Sequence, residues 1–294
     1  MNKVFLVAGG DLRFVTLAER LAEQYTVYAA GFDRNAAMFS RIKLIKSLGE
    51  LKVKADYAVL PLPASPDGVT VNTPCSDTPL LLEDVAAAVK QGGTVFGGLL
   101  SPEVRQLFDK KGISTEDYSK REEFAVLNAV ATAEGAIQAA MEELAVTLSG
   151  RKILILGAGR IAKVLIKQLS GFGTEITVAA RKFSDLAWAE IYGCGAVHIN
   201  EIDDLLGRFD IIFNTVPAVI LDENRLKKLG GDCLVIDLAS KPGGVDFDTA
   251  SCLGIRTMWL LSLPGKTAPV TSGEIIAETV KNILSERRAQ NDGA

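Results

Sequence analysis

The sequence predicts an α/β protein: two doubly wound Rossmann-like domains joined by a long connecting helix, with a C-terminal helix packing back on the first domain. Three observations predict it. Short continuous apolar runs alternate with segments of helical periodicity, over residues 1–120 and again over 149–268. Runs of that kind are strands buried on both faces, and β-α-β alternation demands a parallel sheet with right-handed crossovers. A segment rich in Ala, Leu and Glu separates the two series at 121–148, and the second series opens on a glycine-rich strand-to-helix turn. A chain of 294 residues is long enough to build two cores.

Taken in order, Val4-Phe5-Leu6-Val7-Ala8 is the first strand, ended by Gly9-Gly10. The N-terminus is far too short in apolar residues to be a signal-peptide core. Asp11 opens a helix whose apolar positions Phe14, Leu17, Ala18 and Leu21 fall at helical spacing, and Thr26 to Ala29 is the next strand. Further strands are expected at 57–60 and 94–96. Thr78-Pro79 and Ser101-Pro102 mark helix starts, each a hydroxyl N-cap followed by proline. Pro61 to Gly68 is too rich in proline for regular structure and reads as a loop. Ser119-x-x-Glu122 is a capping box before the connecting helix, 121–148, which Ser149-Gly150 ends. Six strands follow, at 152–156, 175–179, 196–199, 210–213, 233–236 and 255–259, enough for a complete doubly wound sheet. Thr271-x-x-Glu274 caps a last helix to about Ser285, and a disordered polar tail completes the C-terminal piece, 269–294.

Composition excludes several function classes. A net charge of −4 and a pI near 5.3, with no Lys/Arg-rich run, leave no basic footprint for nucleic acid. No uninterrupted run of ~18 apolar residues is present to span a membrane. The single histidine, His198, cannot build a His-rich metal site, and no metal is expected. Cys75, Cys194, Cys233 and Cys252 are widely spread and read as reduced core thiols of a cytoplasmic protein.

The strongest chemical signal is Gly157-Ala158-Gly159-Arg160-Ile161-Ala162, a G-x-G-x-x-A run after a buried strand and opening a helix. Gly157 permits the tight turn, Gly159 lets the backbone approach a pyrophosphate, and Ala162 keeps helix and strand close; the helix N-terminus supplies N–H donors. NAD-preferring folds usually carry an acid after the next strand. Here Arg181, Lys182 and Ser184 stand there instead, two cations and a hydroxyl suited to a 2′-phosphate, so NADP is expected over NAD. Asn214-Thr215-Val216-Pro217 and Leu238-Ala239-Ser240 follow the fourth and fifth strands, at the ligand-binding edge of such a sheet, and Pro264-Gly265 forms a turn able to offer backbone donors to a nicotinamide amide.

Beyond these signals, several segments resemble one family. Gly9-Gly10-Asp11-x-Arg13, Arg121-Glu122-Glu123, Leu127-Asn128-Ala129, Thr132-Ala133-Glu134-Gly135-Ala136-Ile137, Asn214 to Pro217, Asp237 to Gly244 and Leu263-Pro264-Gly265-x-x-Ala268-Pro269-x-Thr271 together are similar to the A-subunit family of dipicolinate synthases of spore-forming bacteria. The resemblance spans nearly the whole chain. It implies NADP-dependent oxidation of dihydrodipicolinate, a small dicarboxylate, to dipicolinate during sporulation, in the mother-cell cytoplasm, with the family's B subunit for a partner and a homo-oligomeric state. That chemistry asks the protein mainly for positioning and two carboxylate anchors. Arg13, Arg121 and Lys266 are the candidate anchors, Asn128 and Thr132 candidate substrate partners, and Glu134 the candidate proton acceptor, on the expectation that an apolar helix raises its pKa.

Two rival readings remain at this level. Shikimate- and methylene-tetrahydrofolate-type dehydrogenases have similar cofactor loops but rely on a lysine in the first domain; Lys43, Lys46, Lys52 and Lys54 lie in a charged stretch that reads as a solvated face. The 2-hydroxyacid dehydrogenases rely on a catalytic His, whereas His198 ends the third strand, nearer the adenine side. The other reading is an NADP-binding scaffold or sensor without chemistry of its own.

Overall fold

A computed structural model describes residues 3–292; Met1, Asn2, Gly293 and Ala294 lie outside it. The chain divides into two units, Met1–Asn128 with Ala268–Ala294, and Ala129–Thr267. Each is a six-stranded, all-parallel sheet with helices on its faces.

In the first unit the elements are β1 (Val4–Ala8), α1 (Leu12–Ala22), β2 (Thr26–Ala30), β3 (Lys43–Leu44), β4 (Ala55–Val59), α2 (Leu82–Ala88), β5 (Val89–Gly97), α3 (Pro102–Asp109) and β6 (Ser114–Asp117). Their order across the sheet is β3-β2-β1-β4-β5-β6. The central strands are apolar because both faces are covered, by one cluster around Phe5, Phe14 and Leu17 and another around Leu6, Leu60 and Leu82. Phe14, Leu17 and Leu21 of α1 are fully buried, each stabilising by at most about 1.5–3 kcal/mol. The edge strands β3 and β6 escape a reading based on apolar runs, because Lys43-Leu44 and Ser114-Thr115-Glu116-Asp117 owe their strand state to pairing with a neighbour. Ser101 caps α3 as expected, its hydroxyl accepting from the Val104 N–H at 3.3 Å. Thr78-Pro79 does not open a helix; α2 starts at Leu82, without a side-chain cap, after a bend.

The helix α4 (Glu122–Glu143) runs from the first unit into the second. It stops at Glu143, short of the expected 148, and a loop covers residues 144–151. An 18-residue window of it has a mean hydropathy of 1.2, as a membrane-spanning helix would, but 56% of that window is buried inside the protein. Ala133, Ala136 and Ala140 are fully buried in the second unit's core.

The second unit contains β7 (Lys152–Leu156), α5 (Arg160–Ser170), β8 (Glu175–Ala180), α6 (Phe183–Ile191), β9 (Gly195–His198), β10 (Ile211–Asn214), α7 (Glu223–Leu226), β11 (Leu234–Asp237), α8 (Phe247–Cys252), β12 (Arg256–Trp259) and α9 (Leu263–Thr267). The order β12-β11-β10-β7-β8-β9 repeats the first sheet's winding. Pro264-Gly265 is therefore a short helix rather than an open turn, with Pro264 buried. Gly135 of α4 admits α9 closely: a Cβ there would stand 2.9 Å from Thr267 Cγ2. Cys75, Cys194 and Cys233 are buried, and burial pushes the Cys233 thiol up to about 12; Cys252, at the end of α8, is exposed, against expectation.

The last helix, α10 (Pro269–Asp292), returns to the first unit and packs along α1, as expected. Val280 and Ile276 of its apolar face are buried in the core that holds Phe14. It starts two residues before Thr271 and continues past Ser285 to Asp292, so the expected polar tail is helical that far. Arg287 anchors this part of the helix, its Nη2 donating to Glu116 Oε1 at 2.5 Å and its Nη1 to Thr94 Oγ1 at 2.8 Å.

Candidate functional site

In the second unit the carboxyl ends of β7, β8, β10 and β11 form one edge, and the nucleotide fingerprint lies on it. Gly157 has φ +99°, a conformation that only glycine adopts cheaply, and a Cβ there would meet Thr215 Oγ1 at 2.5 Å. The turn is tied to β8 by the Gly157 N–H donating to Ala179 O at 2.8 Å. Gly159 differs in kind. An added Cβ would meet nothing within 4 Å, so its missing side chain leaves open space in front of α5. As N-cap of that helix, Gly159 offers no side-chain acceptor to the N–H groups of the first turn. Open space, a helix start without a side-chain cap and the positive end of a helix dipole fit a dinucleotide pyrophosphate. Ala162 is fully buried, as close helix–strand contact requires, Ala158 and Ile161 are half-buried, and Arg160 is exposed.

Arg181, Lys182 and Ser184 are exposed just beyond β8, and neither cation enters an ion pair among the described residues. His198 ends β9. Its Nδ1 accepts from the Asn200 N–H at 3.3 Å and its ring lies 5.7 Å from that of Phe183, which is 78% exposed. Phe183 was not singled out from sequence, since a lone aromatic after two cations belongs to no motif.

The loops after β10 and β11 behave differently from expectation. Asn214 is fully buried: its Nδ2 donates to Asp237 Oδ1 at 2.7 Å and to Val216 O at 3.0 Å, while its Oδ1 accepts from the Val216 N–H at 3.1 Å. With no accessible surface its side chain cannot touch a ligand; it shapes the turn that carries Thr215, Val216 and Pro217. Thr215 Oγ1 donates to Leu156 O at 2.8 Å, bracing that turn against β7, and Pro217 is exposed. Leu238 and Ala239 are likewise buried, and only Ser240 of that trio reaches the surface. Asp237, the partner that organises both loops, was missed because a buried carboxylate in an apolar strand looks like a strand end.

Of the expected anchors, Arg13 is 8% exposed, with its Nε and Nη2 donating to Asp11 Oδ1 and Oδ2, both at 2.8 Å. Arg121 is half-buried: Nε donates to Glu123 at 2.8 Å, and Nη1 and Nη2 donate to Glu286 at 2.8 and 2.6 Å. Hydrogen bonds to Glu286 and then to Glu123 raise the Arg121 pKa, and the Arg121 guanidinium in turn lowers that of Glu286. Both guanidinium groups thus pair with protein carboxylates of the first unit. Lys266 is exposed on α9. Thr132 is buried and Asn128 half-buried on α4, in different units. Glu134 sits on the exposed face of α4, accepting from Gln168 Nε2 at 3.4 Å, and Gln168 lies eight residues along α5 from Arg160.

The first unit has an equivalent glycine turn at Gly9-Gly10, with φ +71° and +113°. It is filled. A Cβ on Gly9 would stand 2.7 Å from Val71 Cγ1 and 2.9 Å from Asn72 O, and the Gly10 N–H is spent on Asn72 O at 2.9 Å. Among the described residues no cluster of His, Cys, Asp and Glu could hold a metal ion.

Comparison with known proteins agrees with this division. Residues 4–119 match the family described as the N-terminal domain of the dipicolinate synthase A subunit, and residues 138–258 match shikimate / quinate 5-dehydrogenase. The chain is 28% identical over 288 residues to the dipicolinate synthase A subunit of Bacillus subtilis (strain 168), covering 97% of this chain and 96% of that protein. Among solved structures it is similar to the dipicolinate synthase A subunit from Bacillus halodurans, with a TM-score of 0.87 at 28% identity over 96% of this chain and 97% of that one. The corresponding structure from Bacillus subtilis gives a TM-score of 0.88 at 28% identity, covering 99% and 98%.

Proposed function

The chain belongs to the A-subunit family of dipicolinate synthases and is an NAD(P)-dependent oxidoreductase, and we propose that it oxidises dihydrodipicolinate to dipicolinate with NADP as acceptor. The likeness along the entire chain carries the reading, and the open, uncapped turn at Gly159 supports it. The match of residues 138–258 to shikimate / quinate 5-dehydrogenase covers the nucleotide-binding unit alone; it supports the cofactor class and not a shikimate-type substrate.

In this reading the bound nicotinamide nucleotide supplies the hydride acceptor. A hydride leaves a ring carbon, a proton leaves the neighbouring ring atom, and the products are dipicolinate, NADPH and H⁺. The α5 N–H groups hold the pyrophosphate, and Arg181, Lys182 and Ser184 hold the 2′-phosphate. Lys266 is the cation proposed for a substrate carboxylate, and Asn128 and Thr132 of α4 are proposed polar partners of the substrate. Since aromatisation drives the step and Glu134 is exposed to solvent, water takes the proton. The chain acts with the B subunit, in homo-oligomeric form, in the mother-cell cytoplasm during sporulation.

The test mixes purified chain, freshly generated dihydrodipicolinate and either NADP or NAD, with and without the B subunit. Dipicolinate and NADPH formed by this chain alone are expected. Formation only in the mixture transfers the chemistry to the pair or to a scaffold role, and equal affinity for NAD removes the 2′-phosphate assignment.

A further inference from the structure

We propose that Lys241 is a carboxylate anchor of the substrate site, presented by a loop that the buried Asp237 carboxylate locks in place; this rests on the reading of the substrate as a dicarboxylate. Asp237 ends β11 with no exposed surface. Its Oδ1 accepts from the Ala239 N–H at 2.9 Å and from Asn214 Nδ2 at 2.7 Å, and its Oδ2 accepts from the Gly244 N–H at 2.7 Å. Both ends of the 238–244 loop therefore close on one side chain. The same carboxylate reaches across to the turn after β10 through Asn214.

Other contacts brace the loop's base. Trp259 Nε1 donates to Ala239 O at 2.9 Å, and the indole stacks on Phe247 with ring centres 5.3 Å apart. The Gly244 carbonyl accepts from the N–H groups of Ile220 and Leu221 at 2.9 and 3.0 Å, and the Gly243 N–H donates to Ser240 O at 2.9 Å. Side chains are excluded where the loop closes: a Cβ on Gly243 would stand 2.9 Å from Asp237 Oδ2, and one on Gly244 2.2 Å from Asn214 Nδ2. Residues 237–239 and 243–245 are buried by this arrangement, while Ser240, Lys241 and Pro242 project from the edge.

Lys241 has no ion pair among the described residues, unlike Arg13 and Arg121, which already pair with protein carboxylates. It stands on the β10–β12 half of the sheet, opposite Arg181 and Lys182 beyond β8, so cofactor phosphate and substrate carboxylate would use separate cations. A loop already ordered loses little backbone freedom when its cation binds. Asp237 is then a positioning residue, acting through the loop.

Calorimetric titration of the NADP-loaded chain with dipicolinate tests this. Lys241→Ala should weaken dipicolinate binding roughly tenfold to a hundredfold, the scale of one charge-assisted hydrogen bond, and Lys241→Arg should recover most of it. Affinity for NADP should not move, and KM for dihydrodipicolinate should rise more than kcat falls. Asp237→Asn should also weaken dipicolinate, and adding it to Lys241→Ala should cost little more, since both act through one contact. Dipicolinate affinity unchanged in Lys241→Ala, in a chain that still turns over, overturns the anchor and leaves the proposed reaction standing. A wild-type chain that neither binds dipicolinate nor oxidises dihydrodipicolinate overturns the substrate reading, and the anchor with it.

Discussion

Gly157 and Gly159 show how one residue type serves two ends. At Gly157 the backbone needs the left-handed region and Thr215 occupies the place of a Cβ, so any substitution strains the fold. At Gly159 φ is −75° and the space is open, so a side chain fits the protein and collides only with what the protein binds. Gly159→Val is therefore expected to melt within about 1 kcal/mol of the wild type while losing NADP affinity by at least an order of magnitude, which thermal denaturation and fluorescence titration would read. Unchanged NADP affinity in a folded Gly159→Val chain would remove the pyrophosphate from this turn. These glycines were legible in the sequence because the spacing and the preceding strand announce them. Arg13 and Arg121 were not: a free cation and a structural ion pair are spelled with the same residue, and only the positions of Asp11, Glu123 and Glu286 tell them apart.

Among the elements, α10 shows what periodicity conveys and what it leaves out. Its apolar face predicts a buried helix, and the partner is α1, where Gly273 allows the approach: a Cβ there would stand 2.2 Å from Arg13 O. Backbone cannot yield as a flexible side chain would, so Gly273→Ala is expected to cost about 2 kcal/mol, the range of overpacked contacts, as a lower denaturant midpoint at constant slope. A midpoint equal to the wild type would mean that the two helices separate freely. Helix ends were the least legible feature. The capping patterns at Thr78 and Thr271 misplaced their starts, because a hydroxyl and a proline suit a bend as well as a cap, and α10 outran its expected end because Arg287 ties its last turns to β6 and β5.

For the whole molecule, the same winding occurs twice, but the two sheets are not equivalent at their glycine turns. The Gly9-Gly10 turn is packed by Val71, Asn72 and Thr73, whereas the Gly157–Gly159 turn opens on free space. Titration should accordingly give one nucleotide per chain, by calorimetry or equilibrium dialysis; two per chain would show that the first turn opens. No residue pattern in the sequence foretold this filling. Asn72 lies far along the chain from Gly10, and the segment around it reads only as loop.

What the sequence by itself determined is what depends on neighbours in the chain. Apolar runs and their period specified two parallel sheets; the glycine spacing pointed to a nucleotide turn; the cations after the second strand of that sheet carried the expectation of NADP. What only the tertiary structure decided is which polar groups are already satisfied. Asn214 became a buried strut, Glu134 a surface residue bonded to Gln168, and Asp237 the clasp of a loop that leaves Lys241 unpaired among the described residues, because each outcome turns on partners from distant strands and helices. A hydrogen bond needs both ends in place, and a linear sequence shows only one at a time.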